Sequence, residues 1–273
     1  MKTAFGNVSA AAVLVAILAI TRPADAATIL VDLGATDLQT GTVDDLTWNN
    51  IHDARTTAAN PSPGLVGAPL INDLVDTAGA ATGISLTAER LGGLVKISGT
   101  AVDVDSGTPT VVSPSGITYP FNAYSDSLFV DNQSNPTANR YQVTLAGLDT
   151  SKTYNLYFLA AAQGGNLNGN ARFFVTGAET APVAQVASSD MLVGADPANL
   201  DANFASVLGM APDGSGIIQI QLTSNAGFPS NARWNTMEIV EVPEPASVGL
   251  GVLALGSLAG FAWRQRAADR RAA

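Results

Sequence analysis

Two stretches near the middle of the chain admit only one kind of secondary structure. In Tyr141-Gln142-Val143-Thr144-Leu145 apolar and polar side chains alternate, and in Thr153 to Ala160 the side chains of Tyr154, Leu156 and Phe158 share one face. A period of two marks a strand with one face buried. Gly147 to Lys152, between them, has the composition of a turn. Together they read as the clearest strand pair in the chain. Ile218, Ile220 and Leu222 alternate with Gln219 and Gln221 in the same way.

The rest of the body follows suit. Short apolar or β-branched runs predict strands at 27–33, 46–51, 69–75, 83–88, 94–98, 117–121, 127–130, 172–176, 216–223 and 234–242. Residues 60–64 read as a loop, and 106–116, with two Pro and two Gly, as a loop or an edge excursion. No segment keeps a helical period over three turns, and no repeat of 20–50 residues is visible. Roughly a dozen short strands predict an all-β fold, a single antiparallel β-sandwich. The long loops favour a jelly roll.

Both ends of the chain read as targeting segments. Residues 1–26 have a basic start at Lys2, an apolar stretch from Ala10 to Ile20 and the A-x-A site Ala24-Asp25-Ala26. That is the layout of a secretory signal peptide, with the mature chain starting at Ala27. It implies the Sec translocon and signal peptidase as partners. At the other end, residues 242–273 hold Pro243-Glu244-Pro245, then 18 uncharged residues from Ala246 to Trp263, then Arg264, Arg266, Arg270 and Arg271. At ~1.5 Å per residue such a helix covers roughly 27 Å, close to a bilayer's ~30 Å apolar core. The arginines place its end in the cytoplasm. The two prolines keep Glu244 in extended backbone.

This order of Pro243-Glu244-Pro245, apolar helix and arginine cluster resembles the PEP-CTERM sorting signal of exopolysaccharide-producing Gram-negative bacteria. The resemblance implies recognition by an exosortase and cleavage near the Pro-Glu-Pro. The helix would then anchor the protein in passing, before it reaches the cell surface or the medium.

Between the two ends lies the exported domain, 27–241. The segment 27–242 holds 7 Lys+Arg against 20 Asp+Glu, a net charge of −13. So acidic a body excludes nucleic acid as a partner. The chain has no cysteine, which excludes disulfides, thiolate metal sites and a cysteine nucleophile. Val31-Asp32-Leu33-Gly34, Thr47 to Ile51, Thr82 to Leu86, Tyr119-Pro120 with Asp126-Ser127, Leu145 to Asp149, Tyr157-Phe158 and Trp234 to Ile239 are similar to galactose-binding-like jelly-roll domains. That similarity implies the fold, and glycan binding as a role such domains often have.

The chemistry-bearing candidates are few. Ser125-Asp126-Ser127-Leu128 is similar to the G-D-S-L block of SGNH esterases but lacks its glycine. Its Asp-x-x-His partner is absent, and the one histidine, His52, lies far upstream beside Asp53. A capped turn is the better account. Asp103-Val104-Asp105-Ser106-Gly107 starts like a calcium loop, but position twelve is Pro114. No metal or cofactor is expected beyond a loosely held Ca²⁺ there or at Asp196, Asn199 and Asp201. For sugar binding, Trp48 with Asn49 and Asn50, and Tyr119 and Tyr124 with Asn122, offer rings and amides. Gln163, Asn166, Asn168, Asn170 and Arg172 form a further polar stretch. The domain's glutamates are Glu89, Glu179, Glu238 and Glu241, and no pair stands out as a glycosidase pair. The expectation is a non-enzymatic exported surface or matrix protein that associates with exopolysaccharide. An exported polysaccharide hydrolase or lyase and a purely structural, self-associating protein are the alternatives.

Overall fold

The computed structural model describes residues 26–35, 40–53, 67–92, 94–98, 110–131, 140–161, 170–179, 181–188, 203–224 and 232–242. Strands β1 (Thr28–Ala35) and β2 (Trp48–Asp53) come first, then β3 (Gly67–Ile71), β4 (Ser85–Gly92) and β5 (Leu94–Ser98). The two-residue strands β6 (Val111–Val112) and β7 (Thr118–Tyr119) precede one short helix, α1 (Phe121–Ser125). Next are β8 (Ser127–Asp131), β9 (Arg140–Ala146), β10 (Thr153–Leu159), β11 (Asn170–Thr176) and β12 (Val183–Ser188). β13 (Phe204–Met210), β14 (Ile217–Ser224), β15 (Ala232–Trp234) and β16 (Thr236–Val242) complete the domain.

Two sheets face each other, in the orders β13-β10-β16-β1-β2 and β12-β11-β14-β9-β4-β3. A third, β15-β8-β5, and the β6-β7 ladder complete the pairing. From β9 to β14 the chain passes back and forth between the two large sheets, with only β11 and β12 as a hairpin within one of them, as in a jelly roll. The fold is an all-β sandwich, and its described ladders are antiparallel except β1 with β2, which run parallel. Strands at 183–188 and 204–210, which the sequence pattern did not predict, are present, and 121–125 is a helical turn rather than a strand end. The helix expected at 246–263 lies outside the described residues, among which no helix is long and apolar enough to cross a membrane.

One expectation changes in kind. β9 and β10 do not pair with each other. β9 lies between β14 and β4 in one sheet, and β10 between β13 and β16 in the other. The connection is an arch across the sandwich. Leu148 is buried in the core beneath it, and its N–H donates to Gly216 O at 3.0 Å. Gly147 sits at φ +90°, and a Cβ there would come within 2.4 Å of Gly83 O. Only glycine fits both demands.

The core follows the period of two. Ile29, Val31, Leu33, Met237, Ile239, Leu156 and Phe158 point inward from one sheet, and Val143, Leu145, Phe173, Val175, Ile218 and Ile220 from the other. Each such side chain contributes about 1.5–3 kcal/mol of burial. Phe158 stacks on Phe173 at 4.6 Å, and Trp234 meets both edge-on. This core is built wholly from residues of the compact unit Ala27–Val242.

Asn235 joins the sheets. It is fully buried between β15 and β16. Its N–H donates to Leu159 O at 2.9 Å, and its carbonyl accepts from Leu33 N at 2.8 Å. Its Oδ1 accepts from Ala161 N at 2.7 Å, and its Nδ2 donates to Asp126 O at 2.6 Å and Tyr124 O at 3.2 Å. Replacing Asn235 with Ala strands three buried backbone partners on two segments. We expect Asn235→Ala to cost about 2–4 kcal/mol, seen as a lower urea midpoint at unchanged slope. A loss below about 0.5 kcal/mol would show that this joint is dispensable.

Candidate functional site

The expected sugar-binding residues converge, but into a second core. The outer face of the five-stranded sheet carries Leu30, Trp48, Leu159 and Phe204. Residues 110–126, with β6, β7 and α1, supply Val111, Tyr119, Ala123 and Tyr124 to the same cluster. Trp48 is 4% exposed, Tyr119 3% and Tyr124 1%. Trp48 meets Tyr119 edge-on at 5.2 Å, and Tyr119 meets Phe204 at 6.0 Å. None of the three rings offers a face to a sugar. Asn49 is also committed: its Nδ2 donates to Leu30 O and Val75 O, and its Oδ1 accepts from Val75 N. Asn50 Oδ1 accepts from Thr40 N, and its Nδ2 donates to Trp48 O. Only Asn122 is exposed. The other five hold the fold together, because the aromatic rings find more apolar contact against the sheet than in water.

Beneath the same segment lies an acid. Glu238 is fully buried in the middle of β16 and accepts from Tyr119 Oη at 3.0 Å and from Ser115 Oγ. Ser115 Oγ lies 2.9 Å from Ser113 Oγ. Burial, reinforced by the nearby Glu238 charge, pushes the Tyr119 phenol well up, so it stays a donor. Glu238 and Glu241 are three residues apart on a strand and face opposite sides of the sheet. They do not flank a common bond. Ser125 and Ser127 are also fully buried: Ser125 Oγ donates to Asn122 O, and Ser127 Oγ accepts from Arg233 Nη1. Asp126 packs on Gly34, where a Cβ would fall within 2.2 Å of its carboxyl. These side chains are all packed inside the domain.

A different place is concave. A half-open cavity of about 300 Å³ sits where β1 and β10 begin and β16 finishes, in the lower range of small-molecule sites. Ile29, Ile84 and Ile239 form its apolar lining. Asp76, Thr82, Asp149, Lys152, Tyr154 and Glu241 supply polar atoms. The pairing of Thr28 with Val240 and of Thr153 with Val242 brings these ends together, and Glu241 N donates to Ala27 O at 2.9 Å. Lys152 Nζ lies 2.6 Å from Glu241 Oε1 and 3.9 Å from Asp149 Oδ2. The Glu241 hydrogen bond raises the Lys152 pKa, and bonds from Ser151 lower that of Asp149. Asp76 Oδ1 accepts from Ala78 N and Ala80 N, which folds the 76–80 turn. Tyr154 Oη accepts from Asp149 N at 3.0 Å, and burial raises its pKa. The sequence pattern placed Lys152 in a turn and Tyr154 in a strand, and did not single out Asp76. They meet through strand pairing, which leaves no local pattern.

Among the described residues no three of His, Cys, Asp and Glu converge as metal ligands. Asp103, Asp105, Asp196, Asn199 and Asp201 lie outside the described residues, as do Gln163, Asn166 and Asn168. So do Ala24, Pro243, Glu244, Pro245 and the arginines 264, 266, 270 and 271, whereas Ala26 is half-buried.

Residues 241–267 match the family model of the PEP-CTERM protein-sorting motif. The chain carries a PEP-CTERM sorting motif. A protein with this motif is exported and sorted by an exosortase. The PEP-CTERM match begins at Glu241, inside β16, so no spacer separates it from the sandwich. No curated protein matches the chain. Solved structures similar to it include TmCBM61 in complex with beta-1,4-galactotriose, at 9% identity over 58% of this chain and 88% of that one, TM-score 0.28. Another is the enzymatically active domain of bacteriophage CBA120 tailspike protein 4, at 14% identity over 57% of this chain and 19% of that one, TM-score 0.30. A third is exo-beta-1,3-galactanase from Phanerochaete chrysosporium, at 13% identity over 60% of this chain and 31% of that one, TM-score 0.28.

Two substitutions test these roles. Tyr119→Phe leaves a buried Glu238 oxygen without its donor and should cost about 1–3 kcal/mol while leaving any saccharide retention unchanged. Lost retention at unchanged stability would restore Tyr119 as a binding residue. Lys152→Met removes the ion pair. The folded Lys152 pKa is raised, so its stabilisation is complete below the unfolded value of about 10.4 and fades as pH climbs through the folded one. With 33% of the lysine side chain in water, the pair contributes less than about 1 kcal/mol. The parent should therefore converge on the variant above about pH 10.5, and parallel pH–stability curves would refute the coupling.

Proposed function

We propose that this is an exported surface or matrix protein whose β-sandwich is the cargo of its PEP-CTERM tail and associates with exopolysaccharide without cleaving it. One observation carries this reading: the sorting motif starts on the last residues of the central strand of the folded domain. Sorting and folding share Glu241 and Val242, so an uncleaved anchor would hold the sandwich with almost no reach toward an extended polymer. Release after export by the Sec translocon, removal of the leader by signal peptidase and cleavage by an exosortase give it that reach. The acidic body keeps the released domain soluble. The opposed directions of Glu238 and Glu241, and the engaged hydroxyls of Ser125 and Ser127, support a binding role over hydrolysis.

The intact mass of the protein recovered from cells and medium should end near Pro243 to Pro245. A mass that includes Arg264 to Ala273 would leave a plain membrane anchor instead. The domain 27–242 should be retained by the producing organism's own polysaccharide and release no reducing sugar from it. Absence of retention would point to a self-associating structural protein, and sugar release would make it an enzyme.

A further inference from the structure

We propose that the cavity at the end of the sandwich binds an amino sugar that carries a free ammonium group. This deepens the reading above by naming the sugar class and the site. Three carboxylates, those of Asp76, Asp149 and Glu241, line the cavity with the ammonium of Lys152 and, in a chain that starts at Ala27, its α-ammonium, so the acids exceed the cations by one. Lys152 is already matched to Glu241 at 2.6 Å. Asp76 uses Oδ1 on the amides of Ala78 and Ala80, and its Oδ2 makes no hydrogen bond among the described residues. The uncompensated charge favours a cation and opposes uronates and phosphates.

A second, independent feature points the same way. Tyr154 is 2% exposed and lines the cavity. Its oxygen accepts from Asp149 N, and its own hydrogen has no acceptor among the described residues. The cavity opens to solvent, so this O–H donates outward, to water or to whatever ligand oxygen takes the water's place. A sugar hydroxyl or ring oxygen can do so. Ile29, Ile84 and Ile239 meet the C–H face of a pyranose, and Asp76 Oδ2 meets its ammonium in a charge-assisted hydrogen bond. The arrangement reads size, charge and one acceptor together.

The test is an amide chemical-shift titration of 27–242, a unit that carries its own core, with glucosamine, N-acetylglucosamine and glucuronate. Glucosamine should shift the amides of Thr82, Gly147 and Tyr154, the neutral sugar less, and glucuronate not at all. Asp76→Asn keeps the Oδ1 acceptor of the 76–80 turn, so its melting point should hold while glucosamine affinity falls about tenfold. Tyr154→Phe should weaken binding severalfold. Equal shifts with glucuronate, no shift at the cavity, or unchanged affinity in both variants would overturn the proposal. Ala27 lines the same cavity; binding that appears only after acetylation of its amine would show that the chain's own end fills the place, and would also overturn it. Glucosamine bound without retention on the native polysaccharide keeps the site and sinks the broader reading. Native polysaccharide retained equally by both variants does the reverse.

Discussion

The architecture turns on one buried amide. Asn235 interrupts what would otherwise be a continuous strand from 232 to 242. Its backbone continues the ladder to β1 and β10, while its side chain bonds Ala161, Tyr124 and Asp126. β15 can therefore belong to the small sheet with β8 while β16 occupies the centre of the large one. A buried strand break would ordinarily leave polar groups without partners. Here the side-chain amide satisfies them, and the same bonds hold the turn after α1 against the sheet.

From that joint follows the covering of the outer face. With residues 110–126 held at Tyr124 and Asp126, Tyr119 reaches Glu238 and packs on Trp48. The sheet becomes buried on both sides, by the sandwich core and by a smaller aromatic one. A carboxylate in its middle is tolerable because two hydroxyls donate to it. The aromatic residues that would suit a binding face are used up in this second core. Among the described residues, an open and polar part of the domain is the end where β1 and β10 begin and β16 finishes.

Much of the strand content was legible residue by residue. The alternation in Tyr141–Leu145, Thr153–Ala160 and Ile218–Leu222 marked inward and outward faces that the structure keeps. Pairing was not legible. The turn-like Gly147–Lys152 connection suggested neighbours, yet Leu148 is drawn into the core and the chain arches between sheets. β12, Val-Ala-Gln-Val-Ala-Ser, and β13, Phe-Ala-Ser-Val-Leu-Gly-Met, were missed because small residues blur their period. Trp48, Tyr119 and Tyr124 were visible as an aromatic and amide set, but composition does not distinguish a ring packed under a covering segment from one facing solvent.

By itself the sequence determined the class of fold, the acidic composition, the PEP-CTERM motif and the absence of cysteine chemistry, because each of these is written in local composition and periodicity. Only the tertiary structure decided which strands neighbour which, which rings are buried, and that Asp76, Lys152, Tyr154 and Glu241 share a cavity. Those facts depend on hydrogen bonds and contacts between residues as far apart as Ala27 and Glu241. Such partners are selected by the free energy of the whole packed sandwich, and no window of the chain contains both of them.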